Sequence, residues 1–119
     1  MESNIIFLPC KNLEETLQFY TNIIGMKCTH KDEAGCIWLD SSYGYIGFCE
    51  YNDNRPMASG VCISFNLENT DAVDQKYQEL LDKGINDLTT PQKHPRFSVY
   101  SFFFKDCNGY LLEFQKVIS

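Results

Sequence analysis

The sequence has no long apolar run, no basic cluster and no paired metal-binding motif. Its first apolar run, Ile5 to Leu8, is too short for a secretory leader or a membrane-spanning helix. None of the six cysteines forms a C-x-x-C pair, and neither histidine lies at zinc-finger spacing. Lys and Arg are scattered over a chain of net charge −6, which would repel a phosphate backbone or an anionic membrane. We therefore expect a cytoplasmic protein with reduced, buried cysteines, no structural zinc, and no nucleic-acid or membrane partner.

Aromatic residues are unusually abundant in this chain. Nine Phe, seven Tyr and one Trp occur among 119 residues. That is more flat apolar surface than a small core needs, so some rings are expected to line a pocket or a subunit contact. A Phe-rich core is the alternative.

The first half of the chain has the pattern of a βαβββ unit. Asn12 is a predicted helix N-cap with Glu15 three residues on, and Gly25 is the predicted C-terminal residue of that helix. The apolar residues of the helix follow one stripe, at Leu13, Leu17, Tyr20 and Ile24. The predicted strands of this half are 5–10, 26–30, 36–39 and 45–51.

The second half repeats the pattern. Asn69 or Thr70 is the predicted N-cap, and Gly84 ends the helix. Asn108-Gly109 predicts a tight turn between two strands. The helix stripe is Val73, Tyr77 and Leu80, with Leu81 beside it, and the predicted strands are 61–67, 86–89, 99–104 and 110–117.

These repeats divide the chain into a first module over 1–51, a polar linker over 52–60 and a second module over 61–119. The fold class is therefore α+β. One helix covers only one face of each sheet, so the other face must curl around the sister repeat, a ligand or a second subunit.

Two motifs at opposite ends of the chain resemble the vicinal oxygen chelate superfamily, the group of glyoxalases, bleomycin-resistance proteins and extradiol dioxygenases. The run Asn12-Leu-Glu-Glu-Thr-Leu-Gln-Phe-Tyr20, with Ile24-Gly25-Met26, is similar to the opening helix of its modules. The run Phe104-Lys-Asp-Cys-Asn-Gly-Tyr-Leu-Leu-Glu113-Phe resembles the closing motif. Asn12 stands for the usual Asp and Cys107 for the usual Pro. The resemblance implies two βαβββ modules forming a curled mixed sheet that encloses a cleft, and a homodimer.

The resemblance also indicates where a divalent metal would bind in enzymes of this group. The four ligand positions correspond here to Ile5, to Gly47 or Phe48 depending on register, to Cys62 and to Glu113. Ile, Gly and Phe cannot bind a metal, and Cys62 with Glu113 leaves at most two ligands. We therefore expect no metal and no other cofactor. His30 and His94 are expected to be solvated loop or edge residues.

The candidate ligand contacts lie on the strands. Side chains alternate along a strand, so Phe102 and Phe104 are expected under the helices, and Phe103 and Ser101 in the cleft. Trp38 and Phe48 are expected to form an aromatic wall or else an inter-module or dimer core. Glu113 would accept a hydrogen bond, act as a base or pair with a nearby cation. The full set of candidate ligand-binding residues is Trp38, Phe48, Cys62, Ser64, Ser101, Phe103 and Glu113.

The function expected from this set is metal-free binding of a small molecule, such as an antibiotic or toxic compound, as in the bleomycin-resistance branch. An acidic protein with an aromatic cleft suits an aromatic or cationic ligand. The alternatives are a glyoxalase-like lyase, isomerase, thiol transferase or dioxygenase with a degenerate metal site, and a regulatory domain whose cleft is filled by its own side chains.

Overall fold

The structure is a computed structural model that describes residues 1–118. The chain forms two compact units, Met1–Ser59 and Gly60–Ser119. Within the described residues, no helix has the length and apolar character that a membrane crossing requires.

The first unit contains one helical segment and a four-stranded sheet. Strand β1 (Ile5–Pro9) pairs in parallel with β4 (Tyr45–Cys49), and β3 (Cys36–Asp40) and β2 (Lys27–Asp32) continue the sheet antiparallel, in the order β1-β4-β3-β2. Helix α1 spans Leu13–Gln18 and runs on as a π-helix over Phe19–Ile24.

The second unit repeats this arrangement. Its strands are β5 (Cys62–Asn66), β6 (Gln92–Lys93), β7 (Val99–Lys105) and β8 (Leu111–Val117). They form a sheet in the order β5-β8-β7-β6, and again only the first pair is parallel. Helix α2 (Thr70–Asp82) packs on β7 and β8. The predicted α+β class with two βαβββ modules of mixed strand direction is confirmed, and each module has its own four-stranded sheet.

Both helices begin where the sequence predicts, because a side chain supplies the missing hydrogen-bond acceptor. Asn12 Oδ1 accepts from the N–H of Glu15 at 2.8 Å, and Asn69 Oδ1 accepts from the N–H of Ala72 at 2.7 Å. Gly25 ends the first helical segment at a φ of 94°, in the left-handed region that favours glycine.

The π-helix changes which residues of the first helix are buried. The carbonyl of Tyr20 accepts from the N–H groups of Gly25 and Met26, at 3.1 and 2.9 Å, so the chain is wound more widely than in an α-helix. Thr16, Tyr20 and Ile24 are buried, whereas the predicted stripe residues Leu13 and Leu17 are only half-buried.

Residues 86–89 do not form the predicted strand, and that prediction is wrong. The segment runs beside β7 and makes one backbone bond to it, from the N–H of Thr89 to the carbonyl of Phe103 at 2.9 Å. Its other bonds use side chains: Asp87 Oδ2 accepts from the N–H of Lys105, and Thr89 Oγ1 accepts from the N–H of Phe103, both at 2.9 Å. The short polar side chains thus replace part of a backbone ladder. The edge strand β6 forms three residues further on, at Gln92–Lys93.

The cysteines also depart from the sequence-based expectation of buried thiols. Cys36 and Cys49 form a disulfide between β3 and β4. Of the four cysteines outside the disulfide only Cys10 is buried, while Cys28 and Cys107 are half-buried and Cys62 is exposed. Pairing across a sheet depends on register, which cysteine spacing alone does not define.

Candidate functional site

The second unit places a polar row on the sheet face opposite α2. Ser64 of β5 lies opposite Glu113 of β8, and Glu113 lies opposite Phe103 of β7. Alternation along β7 puts Phe102 on the other face, where its ring meets Tyr77 of α2 with centroids 5.5 Å apart. Ser101 and Phe103 therefore share the face of Glu113, as the sequence predicts for these two residues.

Glu113 is the central group of this row. Only 7% of the residue is exposed, and a hydroxyl donor, Ser64 Oγ, bonds its Oε1. A buried carboxylate needs such donors, because an ion without partners is costly to withdraw from water. One donor leaves further lone pairs of this carboxylate able to accept from a ligand.

Cys62 extends the polar row along β5. Its Sγ lies 3.8 Å from Ser64 Oγ. Desolvation of the thiol raises the pKa of Cys62, the Ser64 hydrogen bond lowers it, and the nearby Glu113 charge raises it further. The net effect is a raised pKa, so Cys62 is a protonated thiol near neutral pH and a poor nucleophile.

Phe103 and Ser101 differ in how accessible they are. Phe103 is half-buried, whereas Ser101 is only 3% exposed. Of the two, therefore, Phe103 is the accessible side chain and Ser101 is buried in the same strand.

His94 is a neighbour of this row that sequence reasoning missed. Its Nδ1 accepts from the N–H groups of Arg96 and Phe97, at 3.0 and 3.2 Å. Its ring centroid lies 4.9 Å from that of Phe97 and 6.1 Å from that of Phe103. His94 is half-buried and structured rather than a solvated loop residue. The Pro91–Ser98 segment looked like an ordinary polar loop, and only the turn geometry reveals the role of Nδ1.

The first unit carries an aromatic row at the equivalent position of its own sheet. The row crosses β1, β4, β3 and β2 and consists of Phe7, Gly47, Trp38 and His30, each paired with the next. The ring centroid of Trp38 lies 6.2 Å from that of Phe7, 4.5 Å from His30 and 5.3 Å from Tyr45. Phe7 is 41% exposed, so this face presents an aromatic surface.

Phe48 does not belong to that surface. It follows Gly47 on β4 and points to the opposite face, where it is fully buried and its ring lies 4.8 Å from that of Tyr20. The expectation that Trp38 and Phe48 form one aromatic wall is therefore wrong. Phe48 is a core residue beneath the helical segment.

The register also resolves which residue of the first unit corresponds to Glu113. Trp38 pairs with Gly47 as Phe103 pairs with Glu113, so Gly47 and not Phe48 is the equivalent position. A Cβ at residue 47 would lie 2.4 Å from Cδ1 of Phe7. The Phe7 ring thus fills the space that a ligating side chain would need.

These residues do not fit the divalent metal of related enzymes. Ile5 and Gly47 offer no donor atom, and their counterparts Cys62 and Glu113 provide two at most. Over residues 1–118, no three His, Cys, Asp or Glu side chains group closely enough to hold a metal ion.

A separate polar cavity of about 160 Å³ lies in the first unit near the ends of β1 and β4. Its charged groups are already engaged. Arg55 bonds Asp53 at 2.6 Å and stacks on Tyr51, and Glu50 accepts from the N–H of Leu13 at 3.3 Å. These contacts hold the segment after β4, and the cavity is a weaker candidate than the two rows.

Two repeated βαβββ units with open mixed sheets define the class of fold. The model of the Glyoxalase/Bleomycin resistance protein/Dioxygenase superfamily matches residues 3–114, and the chain belongs to this superfamily. No curated protein matches the chain.

Solved structures resemble the chain over nearly its whole length. An integron cassette protein from the mobile metagenome of the Halifax Harbour sewage outfall is 27% identical, with 96% of this chain and 97% of that one covered and a TM-score of 0.79. A glyoxalase/bleomycin resistance protein/dioxygenase from Nocardioides is 16% identical, with 100% and 84% covered and a TM-score of 0.79. Lactoylglutathione lyase from Agrobacterium tumefaciens is 15% identical, with 94% and 90% covered and a TM-score of 0.76. The Nocardioides and Agrobacterium tumefaciens structures are so distant in sequence that their likeness to this chain shows a shared fold and nothing about function.

Proposed function

We propose that the protein binds a small planar molecule that carries a positive charge, and that it does so without a metal, in the manner of the bleomycin-resistance branch of its superfamily. The observation that carries this proposal is Glu113, a buried carboxylate on the helix-free face, in one row with Ser64 and Phe103. A carboxylate beside an aromatic ring is a suitable pair of contacts for an aromatic cation.

The chemistry of this row favours a cation over an anion. Ser64 supplies one hydrogen bond to Glu113, and no Lys or Arg ion pair to Glu113 is present among the described residues. The negative charge is therefore left for a ligand to neutralise. The net charge of −6 also raises the local concentration of cations.

The aromatic row of the first unit supports the same class of ligand. Phe7, Trp38 and Tyr45 present ring faces on a surface that no helix of their unit covers. Exposed rings grouped in this way are typical of ligand or partner contacts, because a monomer gains nothing by leaving them in water.

The test compares three probes of one size: N-methylquinolinium, quinoline and quinaldate, which are cationic, neutral and anionic. Binding is measured by isothermal titration calorimetry and by thermal shift. We expect the cation to bind most tightly, and Glu113→Gln to remove that preference while leaving the melting temperature close to that of the native protein.

Glu68→Gln is the matched control, since it removes one carboxylate from an exposed position outside the row. It should leave the preference for the cation unchanged. Equal binding of all three probes, or an equal effect of Glu113→Gln and Glu68→Gln, would refute the proposed role of Glu113. Unfolding of Glu113→Gln would make Glu113 a structural residue.

The second candidate function is an enzyme in which Glu113 acts as a base. Burial of the carboxylate and its Ser64 donor are the observations in its favour. The raised pKa of Cys62 disfavours a thiol transferase that uses this cysteine. Mass spectrometry of the recovered probes separates the two functions, because a binder returns its ligand unchanged.

We further propose that the protein is a homodimer. Strand β1 is an edge of its sheet and exposes Ile6 by 61% and Phe7 by 41%. An apolar edge strand is a surface that soluble proteins usually cover. Sedimentation equilibrium should give twice the mass of the chain, and Ile6→Lys should shift that mass toward the monomer.

A further inference from the structure

The Cys36–Cys49 disulfide joins two residues that lie directly opposite each other on β3 and β4, with their Cα atoms 4.2 Å apart. The N–H of Glu50 bonds the carbonyl of Gly35 at 2.9 Å, which makes Cys36 and Cys49 a non-hydrogen-bonded pair of the ladder. Side chains are closest at such pairs. The two sulfur atoms therefore stay close together whether or not they are bonded.

The hairpin is held by contacts besides the disulfide. Strands β3 and β4 form five register pairs, and Cys36 with Cys49 is the pair at one end. The bond spans only 13 residues, and a disulfide constrains the unfolded chain less when the loop that it closes is short. We therefore expect the ladder to persist when the bond is reduced.

The disulfide lies on the helix-free face, beside the aromatic row. Cys36 is two residues from Trp38 and Cys49 two residues from Gly47, so side-chain alternation puts all four on one face. Cys36 is half-buried and Cys49 is 3% exposed, which makes Cys36 the more accessible of the two sulfur atoms.

We propose that Cys36 and Cys49 are a reversible dithiol–disulfide centre that exchanges with a low-molecular-weight thiol, and that Trp38 on the same face reports the exchange. The proposal is independent of any ligand of that face. A disulfide with one half-buried cysteine that closes a short loop has features of the labile rather than the structural type.

The exchange proceeds in two steps. A thiolate attacks Sγ of Cys36, so that a mixed disulfide forms and Cys49 leaves as a thiolate. A second thiolate then attacks the sulfur of the bound thiol, which releases Cys36 and a small-molecule disulfide. Two electrons pass from the two thiols to the protein, and the two cysteine thiolates take up two protons.

Trp38 reports the state of this centre, because it is the only tryptophan of the chain and lies two residues from Cys36 on the same face. A nearby disulfide accepts an electron from excited indole and quenches its emission. The experiment equilibrates folded protein in glutathione buffers of graded reduced-to-oxidised ratio. Trp38 emission is recorded, free thiols are trapped with iodoacetamide, and the labelled peptides are mapped.

We expect a reversible two-electron titration in which labelling of Cys36 and Cys49 and the rise in Trp38 emission follow one curve. The Cys36→Ser/Cys49→Ser variant should fold and should lose the emission change. Cys107→Ser, which removes a half-buried cysteine outside the disulfide from the second unit, is the matched control and should retain it.

Two results would overturn the proposal. Complete labelling of both cysteines in oxidised protein would show that no bond forms. A disulfide that glutathione opens only after the protein is unfolded in urea would be a structural link and not an exchange centre.

Discussion

The ring of Phe7 lies over the backbone of Gly47, so close that a Cβ at residue 47 would be 2.4 Å from Phe7 Cδ1 and 2.6 Å from Cε1. Gly47 does not have a positive φ. Glycine is therefore required here to leave room for the Phe7 ring and not to allow an unusual backbone conformation. In the second unit the equivalent position carries Glu113 beside Ser64. The equivalent positions of the two repeats therefore differ in chemistry. The first repeat has an aromatic ring over glycine, and the second has a serine beside a carboxylate.

Gly47→Ala should destabilise the protein by about 1–3 kcal/mol, because the added methyl group overpacks the space under Phe7. Urea unfolding followed by circular dichroism measures this change. Phe7→Ala should cost less than a core Phe truncation, since 41% of Phe7 is exposed.

The double variant Phe7→Ala/Gly47→Ala is the control for that prediction. It should recover much of the loss caused by Gly47→Ala, with a coupling of about 0.5–3 kcal/mol. Strictly additive losses would mean that the two positions do not share the space.

The parts of the fold that could be predicted are those coded locally. Asn12, Asn69 and Gly25 each act within a few residues of themselves, and each performs the predicted role. The roles of residues whose orientation depends on strand register were harder to predict. A shift of one residue exchanges Gly47 for Phe48, and it moves the predicted aromatic contact from the open face into the core.

Alternation along the strands correctly placed Ser101 and Phe103 on the face of Glu113, but other contacts between distant residues could not be predicted. Nothing in the sequence pairs Cys36 with Cys49 in preference to the other cysteines. Asp87 and Thr89 bond to β7 through side chains, so a strand pattern at 86–89 misleads. His94 gains its role from a turn that brings the N–H groups of Arg96 and Phe97 to Nδ1.

Cys62 should react slowly with iodoacetamide at neutral pH although the residue is exposed. Desolvation and the Glu113 charge raise its pKa, so its thiolate, the reactive form, appears only at higher pH than in a free cysteine. Glu113→Gln removes the charge and should move the pH profile of alkylation toward lower pH. Peptide mapping separates Cys62 from the other free cysteines.

The raised pKa of Cys62 should also make the free energy of unfolding decrease at high pH. A folded-state pKa above the unfolded one means that the folded state holds its proton more tightly. The contribution of Cys62 is therefore fully present below the unfolded pKa and decreases as pH rises through the folded pKa. An alkylation profile for Cys62 that matches a free cysteine, with no response to Glu113→Gln, would contradict this account.

His94 should carry its ring proton on Nε2, because Nδ1 accepts from two backbone N–H groups. Nitrogen-15 NMR of the ring identifies the tautomer directly. His94→Ala should lower the protection of the Arg96 and Phe97 amides by roughly two- to tenfold, since each lost bond is worth about 0.5–1.5 kcal/mol.

His94→Asn is the matched variant, because its Oδ1 can occupy the place of Nδ1. It should keep more of the protection than His94→Ala. A ring protonated at Nδ1, or equal loss in the two variants, would rule out the acceptor role.

Metal removal should leave the protein unchanged, because the four superfamily ligand positions hold Ile5, Gly47, Cys62 and Glu113 and supply two donors at most. Protein produced with added nickel, zinc, manganese and iron should contain no stoichiometric metal by elemental analysis. A chelator should not shift its melting temperature, since a bound metal would stabilise the folded state in proportion to its affinity. A stoichiometric metal together with a lower melting temperature on chelation would contradict the donor count. Glu113→Gln would then show whether this carboxylate is a ligand, because losing a ligand should empty the site, whereas a metal held elsewhere would remain bound.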